Sequence, residues 1–252
     1  MIHFVGAGSG APDLITIRGK KYLEEADVII YAGSLVNPQL LDYAREGCEI
    51  YNSAKMTLEE VLDVMYAAEE KDLVTVRLHT GDPCLYGAIR EQMDVLDEKE
   101  IAYDSCPGVS SFCGAASALN LEYTLPDVSQ SVVITRMAGR TPVPEKESIE
   151  SFASHHATMV VFLSTGMLEE LSSRLIEGGY TADTPAAIVY KATWEDEKTA
   201  VCTVGTLAET AKKENITKTA LMIIGDVVTH SHYQRSELYN PAFTTEFRQA
   251  SK

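Results

Sequence analysis

The sequence predicts an α/β protein with a parallel-type sheet in its N-terminal half and a mixed sheet in its C-terminal half. In the first half, the apolar runs "IHFV", "DVII" and "LVTVRL" alternate with helical patterns, which is typical of parallel strands covered by helices. The alternation pauses at Pro126, and in the runs that follow one strand comes directly after another near residues 186–204. These observations predict two α/β domains, 1–120 and 121–230, followed by a polar tail over 231–252.

Individual elements are predicted from caps and apolar periodicity. Thr57 and Glu60 form a capping box, and the apolar residues that follow recur at helical spacing. A second helix is predicted over 167–176, where leucines share one face and a Gly-Gly pair follows. A short strand is predicted over 101–104, and a helix is predicted to begin near Tyr86.

Composition excludes several classes of function. The 252-residue chain has a formal net charge of −16, which disfavours nonspecific nucleic-acid binding because such binding requires Lys and Arg to neutralise phosphates. The N-terminus has no basic segment followed by a long apolar one, and no run approaches the roughly 18 apolar residues of a membrane span. We therefore expect a cytoplasmic protein. Because its net charge is negative, an anionic ligand would need a locally basic pocket.

The opening stretch "FVGAGSGAPD" raises the question of a dinucleotide site. Gly6, Gly8 and Ala11 fit the fingerprint G-x-G-x-x-G/A after a strand. A dinucleotide site also needs a helix that begins inside the glycines and an acid at the end of the second strand, about 20 residues on. Pro12 interrupts the stretch where that helix would begin, and residues 31–34, "YAGS", at the end of the second strand include no acid. An NAD(P)-dependent oxidoreductase is thus the weaker alternative, and a turn without a ligand stays open.

Two later loops contain the residues most typical of a ligand site. The stretch "RLHTGDPCLYGAIREQ" (77–92) leaves a strand through a Gly-Asp-Pro turn, at the end of the sheet where open α/β proteins bind ligands. Asp82 either contacts a ligand there or caps the next helix. In "CPGVSSFCGAASALN" (106–120), Ser110 and Ser111 either present hydroxyls and amides to a ligand or simply cap a helix.

A third stretch, "TRMAGRTPVPE" (135–145), is basic. Arg136 and Arg140 flank a glycine between a strand and two prolines, where they could bind carboxylates through two hydrogen bonds each or remain solvated. The histidine pairs at 155–156 and at 230 and 232 lack a third ligand at useful spacing, so no metal site is predicted.

Six motifs in this order resemble the tetrapyrrole methylase family, the S-adenosylmethionine-dependent methyltransferases of sirohaem and corrin synthesis. They are "VGAGSGAPDLIT", "YAGSLV", "HTGDPCLYGAIREQ", "CPGVSSF", "TRMAGRTPVPE" and "ALMIIGDVV", within residues 2–228. The resemblance implies two αβα domains with S-adenosyl-L-methionine between them, C-methylation of an anionic tetrapyrrole in cobalamin biosynthesis, and a homodimer. The chain departs from the family's pattern at Ser9 and Ala11, where Pro and Asp are usual.

The resemblance also implies site residues, at the positions of this sequence that match the family's motifs. Cofactor-binding positions are Pro12, Thr80, Gly81, Asp82, Leu85, Ser110, Ser111, Ser164, Ala192, Thr219 and Ala220. Because the methyl group of a sulfonium is already activated, alignment of donor and acceptor matters more than a protein nucleophile. Asp104, predicted at the end of a strand, and Tyr86 are candidate catalytic bases. Arg18, Arg136 and Arg140 are candidates for binding the substrate's carboxylates, since the net charge of the chain is negative.

Overall fold

The computed structural model describes residues 1–33, 35–231 and 233–251. Contacts between Cα atoms divide the chain into two compact units. The first unit comprises Met1–Gly114 and Ala192–Asp196, and the second comprises Ala115–Lys191 and Glu197–Lys252. The domain limits 1–120, 121–230 and 231–252 stay a prediction.

Within the described residues of the first unit, five parallel strands form one sheet. They are β1 (Ile2–Gly6), β2 (Val28–Tyr31), β3 (Glu49–Asn52), β4 (Thr75–His79) and β5 (Tyr103–Cys106). Their order across the sheet is β3-β2-β4-β1-β5, and all neighbours are parallel. Gly6 lies opposite His79, and Val5 lies opposite Cys106, so the carboxyl ends of β1, β4 and β5 are level.

Helices cover both faces of this sheet, which explains why its central strands β1, β2 and β4 are almost fully buried. The helices of this unit are α1 (Ile17–Glu25), α2 (Leu58–Glu69) and α3 (Arg90–Glu98). A further helix, α4 (Ser111–Ala118), follows β5, and the limit of the first unit at Gly114 falls within it. On one face Leu23 of α1 packs with Val5 and Leu78. On the other face α2 and α3 pack against Phe4 and Ile30. The predicted capping box of α2 is present: the Thr57 hydroxyl accepts the Glu60 amide, and the Glu60 carboxylate accepts the Thr57 amide.

The second unit has a mixed sheet, as predicted. Over its described residues the strands are β6 (Val132–Arg136), β7 (Thr158–Phe162), β8 (Pro185–Tyr190), β9 (Lys198–Thr203) and β10 (Ala220–Ile224). Their order is β6-β7-β10-β8-β9, in which β6 and β7 are parallel and the remaining neighbours are antiparallel. The predicted fold class, a parallel sheet followed by a mixed sheet, is confirmed.

The helices of the second unit pack on this sheet through one apolar cluster. They are α5 (Ile149–Ala153), α6 (Leu168–Glu177) and α7 (Leu207–Lys213). The predicted leucine face of α6 is buried, and Leu171 and Leu175 contact the core. Gly178 is the C-cap of α6, and Gly179 follows with a φ of 123°. In the tail, a short 3₁₀ helix covers Glu237–Tyr239.

Two predicted elements are placed differently by the structure. The helix expected near Tyr86 begins at Arg90 instead, because Tyr86 and Ala88 adopt left-handed backbone angles (φ 58° and 48°) that a helix cannot contain. The strand expected over 101–104 is shifted toward the C-terminus, as Tyr103–Cys106. Among the described residues, no helix has both the length and the apolar character that crossing a bilayer requires.

Candidate functional site

Three loops meet at the carboxyl edge of the parallel sheet through glycines. A Cβ on Gly6 would lie 2.6 Å from both Gly108 Cα and the Gly81 carbonyl oxygen, and a Cβ on Gly108 would lie 2.1 Å from that same oxygen. Gly8 and Gly81 also exchange backbone hydrogen bonds of 3.2 and 2.9 Å. Because a side chain at Gly6 or Gly108 would strike the backbone of a neighbouring loop, the loops after β1, β4 and β5 form one tightly packed edge.

Asp82 joins two of these loops. Its Oδ1 accepts the Cys84 amide at 2.8 Å, and its Oδ2 accepts the Gly108 amide at 2.9 Å. Burial raises the pKa of the Asp82 carboxyl, but the hydrogen bonds from Cys84 and Gly108 outweigh burial, so that the net pKa is lowered. The alternative role as the cap of the next helix is wrong, since the N-cap of α3 is Ile89. Asp82 instead fixes the turn against the Gly108 loop.

The segment after Asp82 has a strained and specific backbone. Tyr86 and Ala88 have positive φ, and a Cβ on Gly87 would lie 2.2 Å from the Pro83 carbonyl oxygen. Strain of this kind persists where the surroundings fix it, and it clusters at functional sites. The Tyr86 side chain is 45% exposed. Leu85, the remaining predicted cofactor residue in this segment, is half-buried.

A buried polar chain beneath this loop was missed by the sequence analysis. Arg77 Nε donates to Gln92 Oε1 at 3.1 Å, and Gln92 Nε2 donates to the Ala88 carbonyl at 2.9 Å. Burial lowers the pKa of Arg77 to about 10, and burial together with the Arg77 charge lowers the pKa of His79 to about 3. The signal was present in "TVRLH", where polar residues alternate within an otherwise apolar strand.

The three predicted hydroxyl groups lie on the loops after β4 and β5. Thr80 and Ser111 are half-buried and Ser110 is 8% exposed, and α4 begins at Ser111 as the sequence predicted. In the part of the chain that the structure describes, none of these three hydroxyls has a hydrogen-bond partner. Their ligand contacts stay a prediction, while Gly81, with a φ of 62°, allows close approach of its backbone.

The opening loop does not form a phosphate cradle. Gly8 turns with a φ of 82°, Pro12 starts a short 3₁₀ helix (Pro12–Leu14), and α1 begins only at Ile17. No helix N-terminus therefore lies inside the glycines, which a dinucleotide fingerprint requires. Ser34, in the segment 31–34 that includes no acid, lies outside the described residues.

The second unit contains the remaining predicted cofactor residues. The Ser164 hydroxyl is fully buried, donates to the Phe162 carbonyl at 2.7 Å and accepts the Met137 amide at 2.9 Å. Thr165, which the sequence analysis missed, links the Ser164 loop to Ala220, because its hydroxyl bonds both the carbonyl and the amide of Ala220 at 3.2 and 3.3 Å. Thr219 has a φ of 58°, a rare angle for a β-branched residue.

The predicted substrate arginines differ in their surroundings. The Arg136 guanidinium donates to the carbonyls of Met137, Thr141 and Pro142 at 3.2, 3.3 and 2.8 Å, and so it holds its own loop together. Arg140 in the second unit and Arg18 on α1 in the first unit are exposed. Carboxylate contacts of all three residues stay a prediction.

Asp104 is not at the end of its strand. It is the second residue of β5, opposite His3, whereas β5 continues to Cys106. Its Oδ1 lies 2.6 Å from His3 Nδ1, and its Oδ2 accepts the Tyr22 hydroxyl at 3.2 Å. The placement that supported Asp104 as a base is therefore wrong, while the role itself is untested.

The described residues contain no group of three or more His, Cys, Asp or Glu side chains suited to a metal ion. His155 and His156 adjoin α5, and His230 has a left-handed backbone angle. His232 lies outside the described residues.

The fold and these loops define an α/β protein whose candidate site lies on loops at strand ends. Residues 1–208 match the sequence profile of the Tetrapyrrole (Corrin/Porphyrin) Methylases. The chain is 53% identical, over its whole length and 97% of the relative's, to the cobalt-precorrin-4 C(11)-methyltransferase of Methanocaldococcus jannaschii. The protein belongs to the tetrapyrrole methylase family, so the predicted family and the predicted enzyme class, a methyltransferase, are confirmed.

Solved structures agree with this assignment. A cobalt-precorrin-4 methyltransferase of cobalamin biosynthesis superposes with a TM-score of 0.88 and 41% identity, covering 90% of this chain and 95% of that one. The uroporphyrin-III C-methyltransferase of Thermus thermophilus, in complex with S-adenosylhomocysteine, gives a TM-score of 0.74 at 25% identity, with 91% and 99% covered. The alternative of an oxidoreductase is set aside by this membership.

Proposed function

We propose that the protein transfers a methyl group from S-adenosyl-L-methionine to C-11 of cobalt-precorrin-4, or of metal-free precorrin-4, in cobalamin biosynthesis. The observation that carries this proposal is the 53% identity, over the whole chain, to an enzyme named for this reaction. Methylation of another ring position is the nearest alternative within the family, because a structural relative at 25% identity is named for uroporphyrin-III.

The loops of the first unit supply the proposed side-chain contacts to the cofactor. When bound, S-adenosyl-L-methionine supplies a methyl group activated by its sulfonium. The hydroxyls of Thr80, Ser110 and Ser111 are the proposed donors and acceptors toward it, and Gly81 offers its backbone. Both Asp82 carboxylate oxygens already accept amides. Asp82 is thus proposed to hold the turn in place, with Pro12 and Leu85 lining the site.

The second unit contributes backbone rather than hydroxyl groups in this proposal. The Ser164 hydroxyl is used internally. Ala220 is buried and is bonded by Thr165. Ser164, Thr219 and Ala220 are accordingly proposed to contact the cofactor through main-chain atoms, as is Ala192 of the first unit.

Alignment of the methyl donor with the acceptor carbon is the proposed source of catalysis. Orientation of this kind can lower a barrier by roughly 7–11 kcal/mol, and no protein nucleophile is needed. A base is required only for the later loss of a proton. The two proposed candidates are Tyr86, which is exposed in the strained loop, and Asp104, which contacts His3 and Tyr22.

The substrate's carboxylates are proposed to bind Arg18, Arg136 and Arg140. A protein of net charge −16 needs locally placed cations for an anionic substrate. The double variant R136A/R140A should raise the KM for the tetrapyrrole while S-adenosylhomocysteine affinity stays the same. An unchanged KM would remove these two residues from the proposed substrate site.

Calorimetric titration tests the cofactor first, with S-adenosylhomocysteine and NADH in separate experiments. Binding of S-adenosylhomocysteine alone is expected, and binding of NADH alone would overturn the proposal. Transfer of a ¹³C-methyl group to cobalt-precorrin-4, precorrin-4 and uroporphyrinogen III would then identify the acceptor. The carbon shift of the product reports the ring position, and methylation elsewhere than C-11 would select the alternative.

A cytoplasmic homodimer completes the proposal. Its support is the family resemblance and the absence from the sequence of any long apolar run. Sedimentation velocity over a range of concentrations is expected to give twice the chain mass of 27.6 kDa. A single species at the chain mass would contradict the dimer.

A further inference from the structure

A short segment of the first unit, Ala192–Asp196, makes a set of contacts that the proposed function does not explain. The chain on either side of the segment belongs to the second unit, whereas the segment itself belongs to the first. It begins with Ala192, a proposed cofactor contact, and continues through Thr193 and Trp194. We call it the clamp segment.

Each residue at the centre of the opening loop is fixed by a contact. Thr193 Oγ1 lies 3.0 Å from Ser9 Oγ and accepts the Ala11 amide at 3.1 Å. A Cβ on Gly10 would lie 2.2 Å from Cδ1 of the Trp194 ring, so only glycine fits beneath that ring. On the other side, Asn37 Nδ2 donates to the Gly10 carbonyl at 2.9 Å.

The clamp segment also reaches the loop that carries the serines. A Cβ on Gly114 of α4 would lie 2.7 Å from Ser9 Cβ and 3.2 Å from Thr193 Cγ2. Ser9 and Thr193 therefore pack directly on the first turn of the helix that starts at Ser111. Three separate stretches of sequence are locked together at this point, and each includes a proposed cofactor residue.

Thr193 holds this position in a strained backbone conformation. Its φ is 68°, in the left-handed region, where a β-branched residue is an outlier. A residue chosen only for its backbone would be Gly or Asn. The presence of threonine indicates that its hydroxyl, which serves the Ala11 amide and the Ser9 hydroxyl together, is what the position requires.

We infer that Thr193 is a positioning residue, which holds the opening loop in its cofactor-binding conformation and couples that loop to Ala192. This inference rests on the proposed function. The Thr193 hydroxyl accepts from the Ala11 amide and shares a second hydrogen bond with the Ser9 hydroxyl, so a single group bonds two residues of the loop. Loss of the hydroxyl would free the loop while leaving the core of the unit intact.

The test compares T193V, which removes the hydroxyl and keeps the shape, with T193S, which keeps the hydroxyl. S-adenosylhomocysteine affinity, measured by calorimetry, should fall about 10-fold in T193V and stay within about twofold of wild type in T193S. S9A, which removes one of the two contacts, should lose about threefold. The double variant S9A/T193V should match T193V, because both changes break the same link.

T199V is the matched control, since Thr199 is exposed on β9 and lies six residues further along. Its affinity should equal that of wild type. Melting of the unliganded proteins separates loop positioning from general destabilisation: T193V should melt within about 4 °C of wild type.

If wild type binds S-adenosylhomocysteine and T193V binds it equally well, the inference is overturned while the proposed function stands. The same holds if T193S and T193V lose equal affinity. A wild-type protein that binds no S-adenosylhomocysteine would overturn the proposed function and the inference with it.

Discussion

The two units bring loops together in different ways. In the parallel sheet all carboxyl ends share one edge, so the loops after β1, β4 and β5 meet at Gly6, Gly81 and Gly108. In the mixed sheet β7 and β10 are antiparallel, so the end of β7 lies beside the start of β10, where Thr165 bonds Ala220. Strand direction thus decides which stretches of sequence can form a site in each unit.

The central strands also differ in polarity. β4 places Thr75, Arg77 and His79 on one face, all nearly fully buried, whereas β10 is apolar throughout. The first unit therefore maintains buried polar groups directly beneath its candidate site, and the second relies on an apolar core.

The largest expected effect is acid destabilisation through His79. Burial, reinforced by the Arg77 charge, lowers the pKa of His79 from its usual 6.5 to about 3. The unfolded chain therefore binds the proton first, and stability that is complete above pH 6.5 is lost as pH falls toward 3. At about 1.4 kcal/mol per pKa unit, the full loss is roughly 5 kcal/mol. Urea unfolding between pH 7 and pH 4 should give a steep decline in wild type and a flatter one in H79L.

The same substitution at exposed His155 of the second unit is the control, and it should leave the slope unchanged. If H79L declined as steeply as wild type, His79 would not be the group that makes the first unit sensitive to acid.

The next largest effect is a backbone clash where the loops after β1, β4 and β5 meet at Gly6, Gly81 and Gly108. In G108A the new Cβ would meet the Gly81 carbonyl, and because backbone cannot move aside cheaply we expect a loss of roughly 3 kcal/mol and of S-adenosylhomocysteine binding. In G166A of the second unit the Cβ meets nothing within 4 Å, so its stability should stay within about 0.5 kcal/mol. Equal behaviour of the two variants in chemical unfolding would refute the close packing of the three loops.

Alkaline destabilisation through Tyr180 is the counterpart in the second unit. Burial, with a contribution from Asp226, raises the pKa of Tyr180 from 10.0 to about 12, and its hydroxyl donates to the Ala157 carbonyl. Stability is complete below pH 10 and is lost as pH rises toward 12, by roughly 2.5 kcal/mol. Y180F should flatten the decline between pH 9 and pH 11.5, and Y239F, at an exposed tyrosine, should not. A steep decline in Y180F would assign the alkaline sensitivity to another group.

The smallest effect concerns the buried chain beneath the Tyr86 loop. R77M leaves Gln92 Oε1 without its donor, which should cost about 2 kcal/mol. R77M/Q92L removes both polar groups and should recover at least half of that loss, because a buried charge replaced by apolar atoms is often tolerated. Chemical unfolding of the two single variants and the double variant measures the coupling, and strict additivity would contradict the proposed chain.

Much of this architecture is determined by the sequence itself. Alternating apolar runs predicted the parallel and mixed sheets, and the Thr57 capping box and the leucine face of α6 are present as predicted. These features are local: a cap or a buried face is specified by residues a few positions apart.

Only the tertiary structure decided the details of the candidate site. Asp82 bonds Gly108 rather than capping a helix, Asp104 lies beside His3, and Arg77 reaches Ala88 through Gln92. Thr193 bonds Ser9 and Ala11 from more than 180 positions away. Such contacts depend on strand register and on backbone angles such as those of Tyr86 and Thr193. Both are fixed by packing across the whole unit, so no local pattern of residues encodes them.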